Sequence, residues 1–380
     1  MREQMRLGYC TNVHAGTTLE AAERQLDEHA VTVRRSMNLD RLPIGLWLPA
    51  SAMHDIDADA LRHRLDARGL EVYTMNAFPF GDFHDRVVKR RVYEPDWTTS
   101  ERQDYTCATA RLLAALLERE GSGGVSTLPL GWGAAMGPNE IDHASRRMHD
   151  VVTMLARLED ETGRCIHLDI EPEPGCALGT LQALAGFFEH ALLGQGHDEL
   201  VRRHVRACVD LCHAAIMFEE LAPALDRFDE LGLDIGKVQV SNAIEVDFEA
   251  IDDDARSKAL VALHDFDEPR WMHQTSIMHA GRTELIDDLD AALRHAPGGC
   301  WRVHFHVPVH ADAVGPLGTT QHRLVQDLQV LGRRADRFDW EVETYAWDAM
   351  PAHRRTTSLA DSITEELQWT RRQITDGTCA

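Results

Sequence analysis

The sequence predicts an α/β fold, a (β/α)8 barrel carrying extra strand and helix insertions, and three observations predict it. Short β-type runs alternate with amphipathic helical patterns along the chain, the mark of parallel strands joined by crossover helices. No repeat, low-complexity tract or Pro/Gly/Ser linker divides the 380 residues, so residues 1–380 are expected to form a single domain. Several β-type runs end in residue types that bind metals, and a barrel is the arrangement in which the C-terminal ends of separate parallel strands converge.

In chain order, the strand candidates are 7–11, 44–48, 71–75, 124–130, 165–171, 205–210, 237–241, 302–307 and 340–345. Each is a short run rich in Val, Ile, Leu, Tyr or Trp. Between them, helical periodicity covers 18–36, 58–68, 100–120, 143–161, 178–190, 214–221, 252–263, 284–295, 320–331 and 358–374; Leu19, Ala22, Leu26 and His29, for example, share one face. The strand candidates outnumber the eight of a barrel by one, and 302–307 is the first suspect for the strand outside it.

Composition limits the function. Lys and Arg total 39 against 62 Asp and Glu, a net charge of -23 that repels nucleic acid and anionic lipid surfaces. Eight cysteines (Cys10, Cys107, Cys165, Cys176, Cys208, Cys212, Cys300 and Cys379) are scattered without a C-x-x-C pair, as expected of reduced, mostly buried thiols in a cytoplasmic protein. Met1-Arg2-Glu3-Gln4 is too polar for the start of a secretory signal, and no apolar stretch reaches the roughly 18 residues needed to span a bilayer. P-loop, G-x-G-x-x-G and G-x-S-x-G patterns are absent, which argues against nucleotide-driven chemistry and serine hydrolysis.

The strand ends carry the chemistry. Ile166-His167-Leu168-Asp169-Ile170-Glu171-Pro172-Glu173-Pro174 sets Asp169, Glu171 and Glu173 on one face, and Pro172 and Pro174 show that the strand stops there. Two carboxylates at a strand end are costly to bury without a cation, so Glu171 is a candidate ligand; Glu173 reads either as a substrate contact or as a helix cap. Val209-Asp210-Leu211-Cys212-His213 ends an apolar run in D-x-x-H, which puts Asp210 and His213 within reach of the same ion. Gln239 stands where imidazole would bind zinc better; its amide oxygen suits Mg²⁺ or Mn²⁺, or substrate hydroxyls. His304 and His306 alternate around Phe305 and read as a second ligand cluster, or as core histidines. Glu343 ends the last strand and is preferred to Glu341, which shares its face. His14, Asn76, His273 and His310 sit at other strand ends and are candidate substrate contacts.

The ordered set Glu171, Asp210-x-x-His213, Gln239 and Glu343 resembles the xylose isomerase-like TIM barrels, a superfamily of sugar isomerases, ketose 3-epimerases, inosose-processing enzymes and AP endonuclease-type nucleases. Leu7-Gly8-Tyr9-Cys10-Thr11-Asn12-Val13-His14, the Glu171 to Pro174 motif, the D-x-x-H and Glu343-Thr344-Tyr345 are together similar to the metabolite traffic protein EboE family of bacterial Ebo operons, and the similarity covers nearly the whole chain. The superfamily pattern implies a divalent metal (Zn, Mn or Mg) on Glu171, Asp210 and Glu343, with His213 a ligand or close neighbour. Gln239 departs from the usual histidine, so His304 or His306 must supply the imidazole if zinc is to bind well. The resemblance further implies a small sugar- or cyclitol-like metabolite as partner and a functional link to Ebo-operon proteins, while the acidity argues for no nucleic acid partner. The expected activity is metal-dependent isomerisation or epimerisation of a polyhydroxylated carbonyl compound, with Glu171 and Glu343 as catalytic carboxylates. A non-catalytic metabolite-binding barrel and an AP endonuclease-like hydrolase are the rival readings, the latter opposed by the acidity.

Overall fold

The computed structural model describes residues 5–118, 120–295, 298–355 and 357–378. Met1 to Gln4 and Cys379 lie outside the described residues. Strands β1 (Leu7–Cys10), β2 (Leu42–Trp47), β3 (Leu70–Asn76), β4 (Ser122–Thr127), β5 (Cys165–Ile170), β6 (Val205–Asp210) and β7 (Ile235–Val240) follow one another around a barrel. After β7 the chain departs into a second sheet: β8 (Ile244–Asp247), β9 (Thr275–His279), β10 (Arg282–Ile286), β11 (Cys300–Val303), β12 (Ala313–Val314) and β13 (Leu317–Thr319). It then returns as β14 (Asp339–Val342), which pairs with both β7 and β1 and closes eight parallel strands into a ring.

The run at 302–307 is indeed outside the barrel. Its ladder stops at Val303, where β11 pairs antiparallel with β8 and β9. Beyond it, His304 N–H donates to Gln274 O and Val307 N–H to Asn242 O, so the segment crosses from the second sheet to the end of β7. Residues 284–295, read above as helical, instead begin inside β10, and only Leu289–Ala292 is helix. A two-residue turn at Ala280 and Gly281, both with positive φ (49° and 74°), folds β9 back onto β10. Such a turn is ordinarily marked by Asn-Gly or Asp-Gly, and Ala280 hides it. The helix expected over 214–221 starts earlier, at Leu211–Ile216, because the Asp210 side chain accepts from His213 N and caps it; a separate helix, Leu221–Leu231, follows.

The barrel strands alternate in an unusual sense. On β5, Ile166, Leu168 and Ile170 pack outward against the helices, while His167 and Asp169 fill the interior, both fully buried. On β7 and β14 the interior residues are Lys237 and Glu341, ion-paired at 2.7 Å, with Lys237 also donating to Ser126 Oγ at 3.0 Å. Room for these groups comes from glycine: a Cβ on Gly45 would stand 1.4 Å from Glu341 Oε1. The second sheet has its own apolar core, including Phe248, Leu263, Phe266, Trp301 and Phe305, and that core reaches Trp47, Phe83 and Tyr345 at the barrel mouth. Among the described residues no disulfide forms, and Cys165 and Cys300 are the cysteines with partial exposure. No described helix is long and apolar enough to cross a membrane.

Candidate metal centre

The ends of β5, β6 and β14 and the crossing segment after β11 bring acidic and imidazole groups to one place at the C-terminal face. Glu171 follows β5, with its N–H bonded to Thr127 O of β4; Glu343 follows β14, with its N–H bonded to Val240 O of β7. Ligand-type oxygens of Glu171, Asp210 and Glu343 lie within 4.8 Å of one another, and all three residues are buried. Beside them, Asp210, His213 and His306 form a second set with the same spacing, and Glu173, His213 and His304 a third. Asp210 and His213 each belong to more than one set, so the donors form a continuous patch rather than separate sites.

The hydrogen bonds fix which ring nitrogens face this patch. His213 Nδ1 lies 2.7 Å from Pro172 O and His306 Nδ1 2.9 Å from Glu343 O. A carbonyl only accepts, so each Nδ1 carries a proton and, in the neutral ring, Nε2 carries the lone pair. His304 Nδ1 donates to Gln274 Oε1 at 2.9 Å; the Gln274 amide is oriented by its Nε2, which donates to Tyr93 Oη, Glu173 Oε1 and Pro174 O. In each of the three rings Nε2 is therefore the nitrogen left free to accept. His213 Nε2 is 3.0 Å from Glu173 Oε2, and His304 and His306 bring their Nε2 atoms to 3.3 Å. Two acceptors at such distances need a proton or a cation between them, and the Nδ1 bonds are those that orient imidazole toward a metal.

Electrostatics point the same way. Burial, then Glu343 and Asp210, pushes the Glu171 carboxyl well above its usual range; burial, then Asp210 and Glu341, does the same to Glu343. Burial also raises Asp210, but His213 and His306 outweigh it and hold that carboxyl below its ordinary value. Burial would lower His213, yet Asp210 and Glu173 leave it raised, whereas burial lowers His304 and takes His306 down to about 4. Asp210 Oδ1 accepts from His213 N and Ser241 Oγ, and Oδ2 is buried without a hydrogen-bond partner. Clustered carboxylates, a bare buried oxygen and oriented imidazoles fit a divalent cation, with oxygen donors on the Glu171 side and nitrogen donors on the His304 side.

The remaining expected residues are placed as follows. Gln239 is buried in the interior, where its Oε1 faces Cys208 Sγ at 3.3 Å; Cys208 in turn lies 3.7 Å from Glu171, so Gln239 reaches the carboxylates through the thiol. Glu173 joins the donor patch rather than capping a helix. Asn76 lines the cavity above the patch, with Oδ1 accepting from Phe78 N. His273 lies behind His304, between His304 O and Glu268. His14 is turned to Tyr9 Oη at 2.9 Å and stacks on His29, and His310 lines a different surface recess near Glu365. Neither lines the cavity over the donors. Sequence reasoning passed over Phe83, Lys89, Val92 and Tyr93, which the loop after β3 folds over the barrel mouth; no ligand-type pattern marks that loop.

No family model matches the chain, and no curated protein matches it. Solved structures do. An L-ribulose 3-epimerase aligns at TM-score 0.54 with 11% identity, over 98% of this chain and 96% of its own. A xylose isomerase-like TIM barrel protein from Mycobacterium smegmatis, in complex with magnesium, aligns at TM-score 0.54 with 8% identity, over 99% and 98%. The fold is thus that of the xylose isomerase-like TIM barrels.

Proposed function

We propose that the protein is a metal-dependent isomerase or epimerase acting on a sugar- or cyclitol-type polyhydroxylated carbonyl compound. The observation that carries this reading is the placement of Glu171 and Glu343, just after β5 and β14, around Asp210 with three proton-oriented imidazoles beside them. Glu171, Asp210, Glu343 and His306 would hold the ion, with His213, His304 and Glu173 as an adjoining donor set. The ion would supply Lewis-acid polarisation of neighbouring carbonyl and hydroxyl oxygens. The protein's own part is proton transfer at the carbon beside the carbonyl. Glu171 and Glu343 both line the cavity, so one carboxylate takes the proton while the other returns it on the same or the opposite face. Asn12 Nδ2 donates to Glu343 Oε1 at 2.7 Å and fixes that carboxylate.

The resemblance to the EboE family and the likeness to an epimerase barrel both support a polyol-derived substrate, and the former supports a place among Ebo-operon proteins in the making or traffic of a secondary metabolite. Nitrogen donors favour zinc, and the oxygen triad accommodates magnesium or manganese. The test is metal content after purification, followed by NMR detection of deuterium uptake from D₂O into a panel of ketoses and inososes. Metal-dependent uptake at one carbon supports the reading. A protein that takes up metal, binds a panel member and exchanges no proton is instead a metabolite-binding barrel.

A further inference from the structure

The cavity over the donor patch has two unlike ends. Its volume is about 50 Å³, and its mouth continues into open solvent. The donor residues Glu171, Glu173, His213, His304 and Glu343 form what we call its floor, and Phe78, Phe83, Val92, Trp271, Met272 and Tyr345 its apolar wall, with Tyr345 joining the two through its ring 4.5 Å from that of His306. The rings lie against one another: Phe83 is 5.3 Å from Trp271 and 5.2 Å from Tyr345, centroid to centroid, and Tyr345 is 5.2 Å from Trp271.

Several polar groups beside the rings are already engaged within the protein, while Tyr345 Oη makes no hydrogen bond among the described residues. Trp271 Nε1 donates to Phe83 O at 3.0 Å, Tyr93 Oη donates to Glu173 and accepts from Gln274, and Asn76 Oδ1 accepts from Phe78 N. Lys89 Nζ is paired with Asp288 at 2.6 Å. A free ketohexose chelated on the floor would press its remaining hydroxyls against this wall, losing their bonds to water for few partners. An apolar substituent would instead be buried against matching surface.

From this two-ended cavity we infer that the substrate is amphipathic: a hydroxy-carbonyl head that the floor chelates, bearing an aromatic or short aliphatic substituent that the Phe83, Trp271 and Tyr345 rings enclose. The inference rests on the metal-dependent reading above and narrows its substrate class. The head is what the carboxylates and imidazoles recognise, and the ring cluster selects the tail by area and by edge-to-face contact. An unsubstituted sugar satisfies the first requirement alone.

The test is calorimetric titration of the metal-loaded, full-length protein with three probes: hydroxyacetone, 2-hydroxyacetophenone and D-fructose, each repeated after chelation of the metal. The expected result is metal-dependent binding of all three heads, with 2-hydroxyacetophenone at least tenfold tighter than hydroxyacetone or fructose. Val92→Asn, at a half-buried wall position, should remove most of that advantage and leave hydroxyacetone unchanged; Trp271→Ala should do the same where it folds. Equal affinities, or tighter binding of fructose, would overturn the inference while leaving the metal-dependent reading intact. Tight binding of the phenyl compound that is indifferent to chelation would overturn the chelated head, and with it that reading at this cavity. No binding by any probe would overturn both.

Discussion

His304 and His306 hold their Nε2 atoms 3.3 Å apart while each spends its Nδ1 on an oxygen, His304 on the Gln274 amide and His306 on the Glu343 carbonyl. Two neutral imidazoles so held repel through their lone pairs, and a bound cation relieves that repulsion. Replacing both with alanine should therefore lower retention of zinc or manganese by at least about tenfold, with far-UV circular dichroism unchanged. Normal metal content in the double variant would leave the carboxylates alone as the site.

Metal and stability should be linked through pH. Glu171 and Glu343 have raised carboxyls in the fold, so the metal-free folded state binds more protons than the unfolded chain above the ordinary glutamate range and loses stability as pH rises. A bound cation replaces those protons. The gap in Tm between metal-loaded and chelated protein should widen from pH 5 to pH 8, and at a free metal concentration near 100 Kd the ion should contribute about 2.7 kcal/mol. A gap that is constant or narrows with pH would show that the carboxylates do not hold the ion.

Glu171→Gln and Glu343→Gln should each lower deuterium exchange into a reactive substrate by about 10²- to 10⁴-fold, the usual worth of a positioned acid or base. A residue serving only as ligand will also lose metal, so metal content measured on the same samples separates the roles. Exchange unchanged in both variants would remove these carboxylates from the chemistry.

Lys237 is wholly buried beneath the donor patch, and its charge is compensated by Glu341. Lys237→Met should cost about 3–5 kcal/mol in urea unfolding by stranding the glutamate, and adding Glu341→Gln should recover much of it. Equal stability of the single and double variants would mean that the pair is not coupled.

Glu366 offers a pH test away from the donors. Burial pushes its carboxyl to about 7, although Thr344, Ser362 and the Val309 amide donate to it. Because its folded pKa is raised above the unfolded value of about 4.5, its protonated form favours the fold at low pH, and that advantage is lost as pH climbs from about 4.5 to 7. Glu366→Gln should therefore gain stability relative to the parent between pH 5 and pH 8, by up to about 3 kcal/mol. A pH-independent difference would contradict the assignment.

The barrel was legible because each of its strands is a short apolar run between helical patterns, and Glu171, Asp210, His213 and Glu343 could be found because each breaks such a run at its end. The second sheet was mostly illegible. Its strands are as short as Ala313–Val314, and the β9–β10 turn uses Ala280 where asparagine is the usual marker. His304 and His306 could be found by their alternation, but not the reason they point inward, since the Gln274 amide that orients His304 lies 30 residues away. The loop bearing Phe83 and Val92 contributes by shape and burial, which leave no periodic trace in a sequence.

The excursion between β7 and β14 gives the donor patch two independent parents. Carboxylates belong to the ring of parallel strands, while His304 and His306 arrive on a segment whose neighbours form a different apolar core. A cation shared between them would act as a rivet joining two sheets that no continuous ladder unites. The excursion could then loosen as a unit when the ion leaves, making metal loading a condition for a finished surface as well as for chemistry.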